Sequence, residues 1–278
     1  MQPVPIPTAH LFPVLDRHLI DLLRSLQPDD WNRPTLARQW TVKDIAAHLL
    51  DGNIRVISIY RDQHFGEAPP VINGYGDLVA FLNELNGIWV KALKRMSPPV
   101  LTDLLAHTGA AYAEQMQRLD PWENALFSVA WAGEEISSNW FHIAREYTEK
   151  FHHQLQIREA VGQTDALMTP ALFYPFINTL MRGLPHAYRN TEAPAGTIVQ
   201  VSITGDAGGS WHLIRDDQQW LLQEGNAVSP DAVVSIPPAT AWKLFTKGLT
   251  SQEAAHTSSI TGNTVLGKAA LSMIAVMA

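Results

Sequence analysis

The chain contains no cysteine among its 278 residues. Disulfide bonds, cysteine-ligated zinc, iron–sulfur clusters and a cysteine nucleophile are therefore excluded, because each needs a thiol from the chain itself. An excess of basic residues is also missing, since the formal net charge is −7 at pH 7. Nucleic-acid binding needs a basic surface to neutralise phosphates, so the composition argues against nucleic acid as a partner.

A long apolar run is missing as well. No stretch reaches the ~18 residues that a transmembrane helix requires, and the most apolar segment, residues 269–278 (AALSMIAVMA), is shorter. Residues 1–7 (MQPVPIP) have neither the positive charge nor the apolar stretch of a signal peptide. The sequence predicts a cytoplasmic protein with no membrane partner, and we expect a monomer or a homodimer.

The first two thirds of the chain have the apolar spacing of helices. Thr41 followed by Asp44 forms a capping-box pattern at the start of one of them. Helices are predicted at residues 10–26, 41–65, 77–96, 101–119, 136–161 and 170–188. Several long helices with short connections favour an up-down bundle of the four-helix type.

The pattern changes after a linker at residues 190–196 (NTEAPAG). Strands are predicted at residues 197–204, 211–214, 219–223 and 232–236, and helices at residues 239–245 and 266–277. We therefore expect two domains, a helical bundle over residues 1–190 and a small α+β domain over residues 191–278.

Candidate chemistry lies in two helical segments that contain histidine. His48 stands inside an apolar run, where a core histidine bonded to a backbone carbonyl is the simpler interpretation. Glu149 and His153 are four residues apart on the longest predicted helix, so they lie on one face and could chelate a cation. His152, three residues after Glu149, offers nearly the same geometry. From the spacing alone, a Glu–His ion pair on a solvated face is the commoner explanation.

A third ligand would favour the metal. In a bundle, His48 could face the helix of Glu149 and His153, which gives three protein ligands and one open coordination position. That pattern is typical of catalytic zinc rather than structural zinc. Imidazole and carboxylate ligands suit Zn²⁺, with Ni²⁺, Fe²⁺ and Mn²⁺ as alternatives.

Two segments carry a family resemblance. Residues 40–49 (WTVKDIAAHL) resemble the W-(T/S)-V-x-D-x-x-x-H-L signature of the DinB/YfiT-like metal-binding bundles. Residues 148–162 (TEKFHHQLQIREAVG) are similar to the E-x-x-x-H-x-x-(D/Q)-(I/L)-R-x-A-x-G segment of the mycothiol-dependent maleylpyruvate isomerase branch. The segments 202–207, 211–213, 230–232 and 241–244 resemble the sterol-carrier-like domain that follows the bundle in that branch.

The resemblance implies a metal site at His48, Glu149 and His153, since its phase selects His153 over His152. It also implies that a low-molecular-weight thiol, such as mycothiol or a functional equivalent, binds the metal and reacts as a thiolate with a small-molecule substrate. In the isomerase, the thiolate adds to a cis double bond conjugated to a carbonyl, and rotation and thiolate expulsion give the trans product. A thiol S-transferase would use the same metal-bound thiolate.

The resemblance further implies that a basic residue of the C-terminal domain assists catalysis, and Arg215 is the candidate. A hairpin-tip residue beside two aspartates is the simpler explanation of Arg215. Arg145, one turn before Glu149, is a second cation within reach of a substrate, and a mid-helix surface residue explains it equally. Two other functions stay open: a non-catalytic small-molecule or lipid-binding module, and a hydrolase that uses metal-bound hydroxide.

Overall fold

The computed structural model describes residues 2–277. As predicted, a helical N-terminal region is followed by a small mixed sheet with its own helices. None of the helices in the described part of the chain is long and apolar enough to cross a membrane.

Within residues 2–277, seven helices precede the sheet. They are α1 (Phe12–Ser25), α2 (Val42–Val56), α3 (Tyr75–Leu93), α4 (Pro98–Arg118), α5 (Asn139–Val161), α6 (Pro170–Met181) and the one-turn α7 (Leu184–Ala187). Short 3₁₀ turns lie at Ala9–Leu11, Asp30–Asn32 and Ala130–Ala132. The helix predicted over residues 41–65 is α-helical only to Val56 and continues as one π-helical turn over Ile57–Arg61.

The C-terminal part consists of β1 (Ile198–Ile203), β2 (Gly209–Arg215), β3 (Trp220–Glu224), β4 (Ala232–Ile236), α8 (Pro238–Phe245), α9 (Ser251–Ala255), β5 (Ser259–Gly262) and α10 (Thr264–Ala270). The strands form one sheet in the order β3-β2-β1-β4-β5. The β1–β4 pair is parallel and the other neighbours are antiparallel.

Three details of the C-terminal part differ from the sequence prediction. Helix α9 and strand β5 were not predicted, and the last helix ends at Ala270 instead of reaching residue 277. Residues 271–277, beyond α10, form a turn and then no regular secondary structure, and Ala275 donates its backbone N–H to the carbonyl oxygen of Phe245 at 2.9 Å. Met273 and Ala275 are almost fully buried, so the tail is apolar because it packs and not because it is helical.

The described residues divide into two packing units. The helical unit contains Pro7–Pro121 and Glu149–Ala166, and the sheet-containing unit contains Trp122–Thr148 and Leu167–Val276. Helix α5 contributes residues to both units. The domain boundary after residue 190 stays a prediction.

Within the helical unit, α4 packs against α1 and α2, and α3 packs against α2. One cluster of the interior consists of aliphatic side chains together with one tryptophan. Its members include Leu19, Leu23, Trp31, Val42, Ile45, Leu49, Leu101, Leu105 and Ile157. This packing fixes α2 and the second half of α5, the two helices that carry the histidines discussed above.

Within the sheet-containing unit, α10 packs on β1, β4 and β5. The close approach depends on Gly267, because a Cβ atom at this position would lie 2.3 Å from Cγ2 of Ile260 and 3.3 Å from Cγ2 of Val234. The side chain of Trp211 in β2 donates a hydrogen bond to Asn178 in α6 at 2.9 Å. Helix α6 is therefore anchored to the sheet through a buried polar contact as well as through apolar packing.

Candidate metal centre

Three side chains converge in the helical unit. Oε1 of Glu149 lies 3.2 Å from Nε2 of His48 and 3.1 Å from Nε2 of His153. The two imidazole rings are 4.6 Å apart between centroids, and the three candidate ligand atoms all lie within 4.8 Å of one another. Among residues 2–277, this is the one group of three histidine, aspartate or glutamate side chains close enough to share a cation.

The two histidines and the glutamate differ in exposure. His48 and His153 are buried, whereas 43% of the Glu149 side chain is exposed. Neither histidine lies on a solvated face, and Nε2 of His48 faces a carboxylate rather than a backbone carbonyl. Solvent is thus excluded from the two imidazole rings but reaches the carboxylate of Glu149.

Local sequence explains why α2 begins where it does. Thr41 accepts a hydrogen bond from the backbone N–H of Asp44, while the Asp44 carboxylate accepts one from the backbone N–H of Thr41 at 3.0 Å. This is the capping box that the sequence predicts. The Asp44 carboxylate also forms an ion pair with Lys94 at the end of α3 at 2.6 Å. His48 lies one turn after Asp44, so the capping box and the ion pair with Lys94 together position the helix segment that carries it.

The electrostatics of the group favour a neutral His48 beside an ionised Glu149. Burial lowers the pKa of His48, although the hydrogen bond to Glu149 opposes the shift. Burial alone would raise the pKa of Glu149, but the charge of His153 and the hydrogen bonds from His153 and His48 hold it well below its ordinary value. Neutral imidazole and ionised carboxylate are the forms that bind metal ions.

Two further residues, Trp40 and Gln156, lie next to the three converging side chains. The Trp40 ring lies 5.0 Å from the His48 ring and 6.3 Å from the His153 ring, measured between centroids. Gln156 presents Oε1 to Nδ1 of His153 at 2.8 Å. Both residues occupy fixed positions of the family motifs, Trp40 as the first residue of the W-(T/S)-V-x-D-x-x-x-H-L signature and Gln156 as the (D/Q) three residues after His153. The motifs alone did not predict a role for either side chain.

His152 does not join the group. Its ring is buried and lies 4.0 Å from the His153 ring between centroids, but none of its nitrogens belongs to the set of three converging atoms. Of the two spacings that the sequence left open, the structure therefore brings together Glu149 and His153.

The two candidate arginines lie in the sheet-containing unit. Arg145 contacts Nδ1 of His142 at 2.6 Å and Glu146 at 2.9 Å. Arg215 is the last residue of β2, where it pairs with Trp220, so it belongs to the strand and not to the hairpin tip. The side chain of Arg215 is half-buried, and its Nε has no hydrogen-bond partner in the described part of the chain. A catalytic role for Arg215 stays a prediction.

Comparison with solved structures shows the fold. Two crystal structures, of the mycothiol-dependent maleylpyruvate isomerase and of a mutant of it, match with a TM-score of 0.50 and 13% sequence identity. Each alignment covers 85% of this chain and 86% of the other. The UbiJ-SCP2 ubiquinone synthesis protein matches with a TM-score of 0.24 and 19% identity, over 37% of this chain and 91% of its own. That likeness is too low to assign the fold of the C-terminal part, whose sterol-carrier-like character stays a prediction.

The curated proteins contain no significant match to this chain. The family described as the mycothiol maleylpyruvate isomerase N-terminal domain matches residues 12–158. That range includes His48, Glu149 and His153, and it covers more than half of the chain. The chain therefore belongs to the mycothiol maleylpyruvate isomerase N-terminal domain family.

Proposed function

We propose that His48, Glu149 and His153 hold one divalent cation, with Zn²⁺ as the first candidate, and that the protein is a thiol-dependent isomerase or thiol transferase. The observation that carries the proposal is the convergence of two buried histidines on one carboxylate oxygen, at 3.1 and 3.2 Å. Family membership supports the thiol-dependent part.

The donor atoms fit a small divalent ion. Two ligands of one tetrahedral zinc, each about 2.0–2.1 Å from the ion, lie about 3.3 Å apart, close to the two distances in this group. Two neutral imidazoles and one carboxylate suit Zn²⁺, while Ni²⁺, Fe²⁺ and Mn²⁺ accept the same donors. Three protein ligands leave a fourth position open, and the exposed part of Glu149 marks a side that a small molecule can reach.

A cation held there would lower the pKa of a thiol at the open position, which supplies a thiolate at neutral pH. The chain's own residues provide the rest of the setting. Glu149 contributes one negative charge to the ligand set, and the Trp40 ring covers the site beside His48. We infer that the thiol is mycothiol or a functional equivalent, and that the substrate is a small maleylpyruvate-like molecule with a cis double bond conjugated to a carbonyl.

The first experiment measures metal content in protein purified without a histidine tag. Wild type is expected to carry about one divalent ion per chain after loading, and the His48→Ala/His153→Ala variant is expected to lose it. The matched control replaces two exposed histidines, His107→Ala/His256→Ala, and should load like wild type. Equal metal in all three proteins would refute the metal site.

The second experiment exploits the missing cysteine. After loading with Co²⁺, the protein has no thiol of its own, so thiolate-to-cobalt absorption can only come from an added thiol. We expect mycothiol to produce this absorption in wild type and not in the His48→Ala/His153→Ala variant. Turnover that continues after complete removal of small thiols would instead favour a hydrolase. A lipid that co-purifies, without any thiol response, would favour a binding module.

A further inference from the structure

We propose that Gln156 is a positioning residue that selects which nitrogen of His153 binds the metal. The inference rests on the proposed metal site and adds a residue that the ligand set does not contain. Oε1 of Gln156 lies 2.8 Å from Nδ1 of His153, three residues earlier on α5, and only 5% of Gln156 is exposed. The contact is therefore buried and shielded from competing water.

An amide oxygen only accepts hydrogen bonds, so Nδ1 of His153 must carry a proton to make this contact. A neutral imidazole has one ring proton, and its Nε2 then presents a lone pair. Nε2 is the atom that lies 3.1 Å from Oε1 of Glu149. A cation between these two atoms takes the place of the ring proton through which His153 otherwise hydrogen-bonds Glu149, so that both lone pairs coordinate it. Gln156 thus orients His153 as an Nε2 ligand.

The two histidines of the site differ in this respect. Nδ1 of His48 is buried and has no hydrogen-bond partner among residues 2–277. Of the two histidines, His153 is therefore the one whose Nδ1, the ring nitrogen away from the proposed metal, has a hydrogen-bond partner. Partners of this kind usually fix both the tautomer and the orientation of a ligating imidazole, and they raise its basicity.

Gln154 provides an internal comparison on the same helix. It is 1% exposed, and its amide oxygen and nitrogen both lack a hydrogen-bond partner in the described part of the chain. Gln154 and Gln156 thus share residue type, helix and burial, but only Gln156 contacts a candidate ligand. Replacing each by leucine separates the contact from the general effect of removing a buried amide from α5.

The test measures the zinc dissociation constant by competition with a chromophoric chelator. Gln156→Leu is expected to weaken zinc binding by about 10- to 100-fold, the usual effect of removing such a partner. Gln154→Leu should stay within about twofold of wild type. Gln156→Glu retains an acceptor for Nδ1–H and is expected to restore wild-type affinity or exceed it, which loss of packing alone would not explain.

A readout on wild type keeps the inference testable even when a variant fails to fold. In the zinc-loaded protein, nitrogen-15 shifts should place the metal on Nε2 of His153 and a slowly exchanging proton on Nδ1. Metal on Nδ1, or equal affinity of Gln156→Leu and wild type, would overturn the role of Gln156 and leave the metal site intact. Absence of zinc binding by wild type would instead overturn the metal site, and this inference with it.

Discussion

The ammonium of Lys150 donates a hydrogen bond to the side-chain oxygen of Asn53 at 2.6 Å, which joins α5 and α2 in the interior of the helical unit. The same ammonium lies 3.0 Å from the carboxylate of Asp16 on α1 and 4.2 Å over the ring of Tyr112 on α4. One buried cation therefore contacts three helices besides its own. Two of these four helices, α2 and α5, carry the candidate metal ligands.

Replacing Lys150 by methionine is expected to lower the free energy of unfolding by about 3–5 kcal/mol, because the largely buried Asp16 then keeps its charge without a partner. Urea unfolding followed by circular dichroism measures the loss. The matched control is the exposed pair of Arg118 and Glu114, where Arg118→Met should cost about 1 kcal/mol or less. A loss of that small size for Lys150→Met would contradict the prediction.

Asp44→Asn is expected to destabilise the protein at neutral pH by about 1–3 kcal/mol, since the carboxylate bonds Lys94 and the start of α2. Burial alone would raise the pKa of Asp44, but the hydrogen bonds from Lys94 and Thr41 lower it overall. A lowered pKa in the folded state means that the stabilisation is present above the unfolded pKa, about 3.9, and is lost as the pH falls through the folded value.

The difference in unfolding free energy between wild type and Asp44→Asn should therefore shrink between pH 5 and pH 3. Urea titrations at several pH values measure it. A difference that stays constant over this range would show that the charge of Asp44 is not what stabilises the helix start.

His142 predicts a second pH dependence, in which the folded state stabilises the uncharged form of the side chain. Burial and the charge of Arg145 lower its pKa to about 4, and Glu146 opposes the shift only in part. Because Arg145 always donates, Nδ1 of His142 must accept, which favours the neutral ring. The unfolded state binds a proton near pH 6.5, so stability is lost as the pH falls from about 6.5 to about 4.

The expected loss from His142 is about 3 kcal/mol over that interval. His142→Gln cannot titrate, so its unfolding free energy should fall less steeply with pH than that of wild type. Parallel curves for the two proteins between pH 7 and pH 4 would rule out the assignment.

Trp40 should report metal binding, because its ring lies 5.0 Å from the ring of His48. Titration of Co²⁺ into the metal-free protein is expected to quench part of the fluorescence of the nine tryptophans. Trp40→Phe should abolish this component. Trp31→Phe, which alters a buried core tryptophan of the same unit, should keep it. Equal quenching in wild type and Trp40→Phe would place the responsive tryptophan elsewhere.

The sequence predicts features that depend on neighbouring residues. Thr41 and Asp44 predict the capping box because both partners lie within one turn, and the structure contains it. The spacing of Glu149 and His153 predicts a shared face for the same reason. The approach of His48 to this pair depends on how two helices pack, so the bundle prediction only allowed it and the family resemblance implied it.

Other features escape the sequence because they depend on packing partners far along the chain. Strand β5 has only four residues, and its sequence shows no strand pattern of its own. It is a strand because it pairs with β4. The tail after α10 has helix-like composition, but the backbone N–H of Ala275 bonds the carbonyl oxygen of Phe245 instead of continuing the helix. The contact of Gln156 with His153 is local in sequence, and Gln156 occupies the (D/Q) position of the family motif whereas Gln154 occupies an unrestricted one. The motif marks the position but does not say what its side chain contacts.

The parallel pairing of β1 with β4 affects the order in which the sheet can assemble. Strands β1, β2 and β3 form successive antiparallel neighbours, so two local hairpins can produce them early. Strand β4 must instead return to the far side of β1, after β2 and β3 have been made, and close a longer loop. We expect the β1–β4 ladder, with β5 and α10 beyond it, to form late in folding and to limit its rate in this part of the chain.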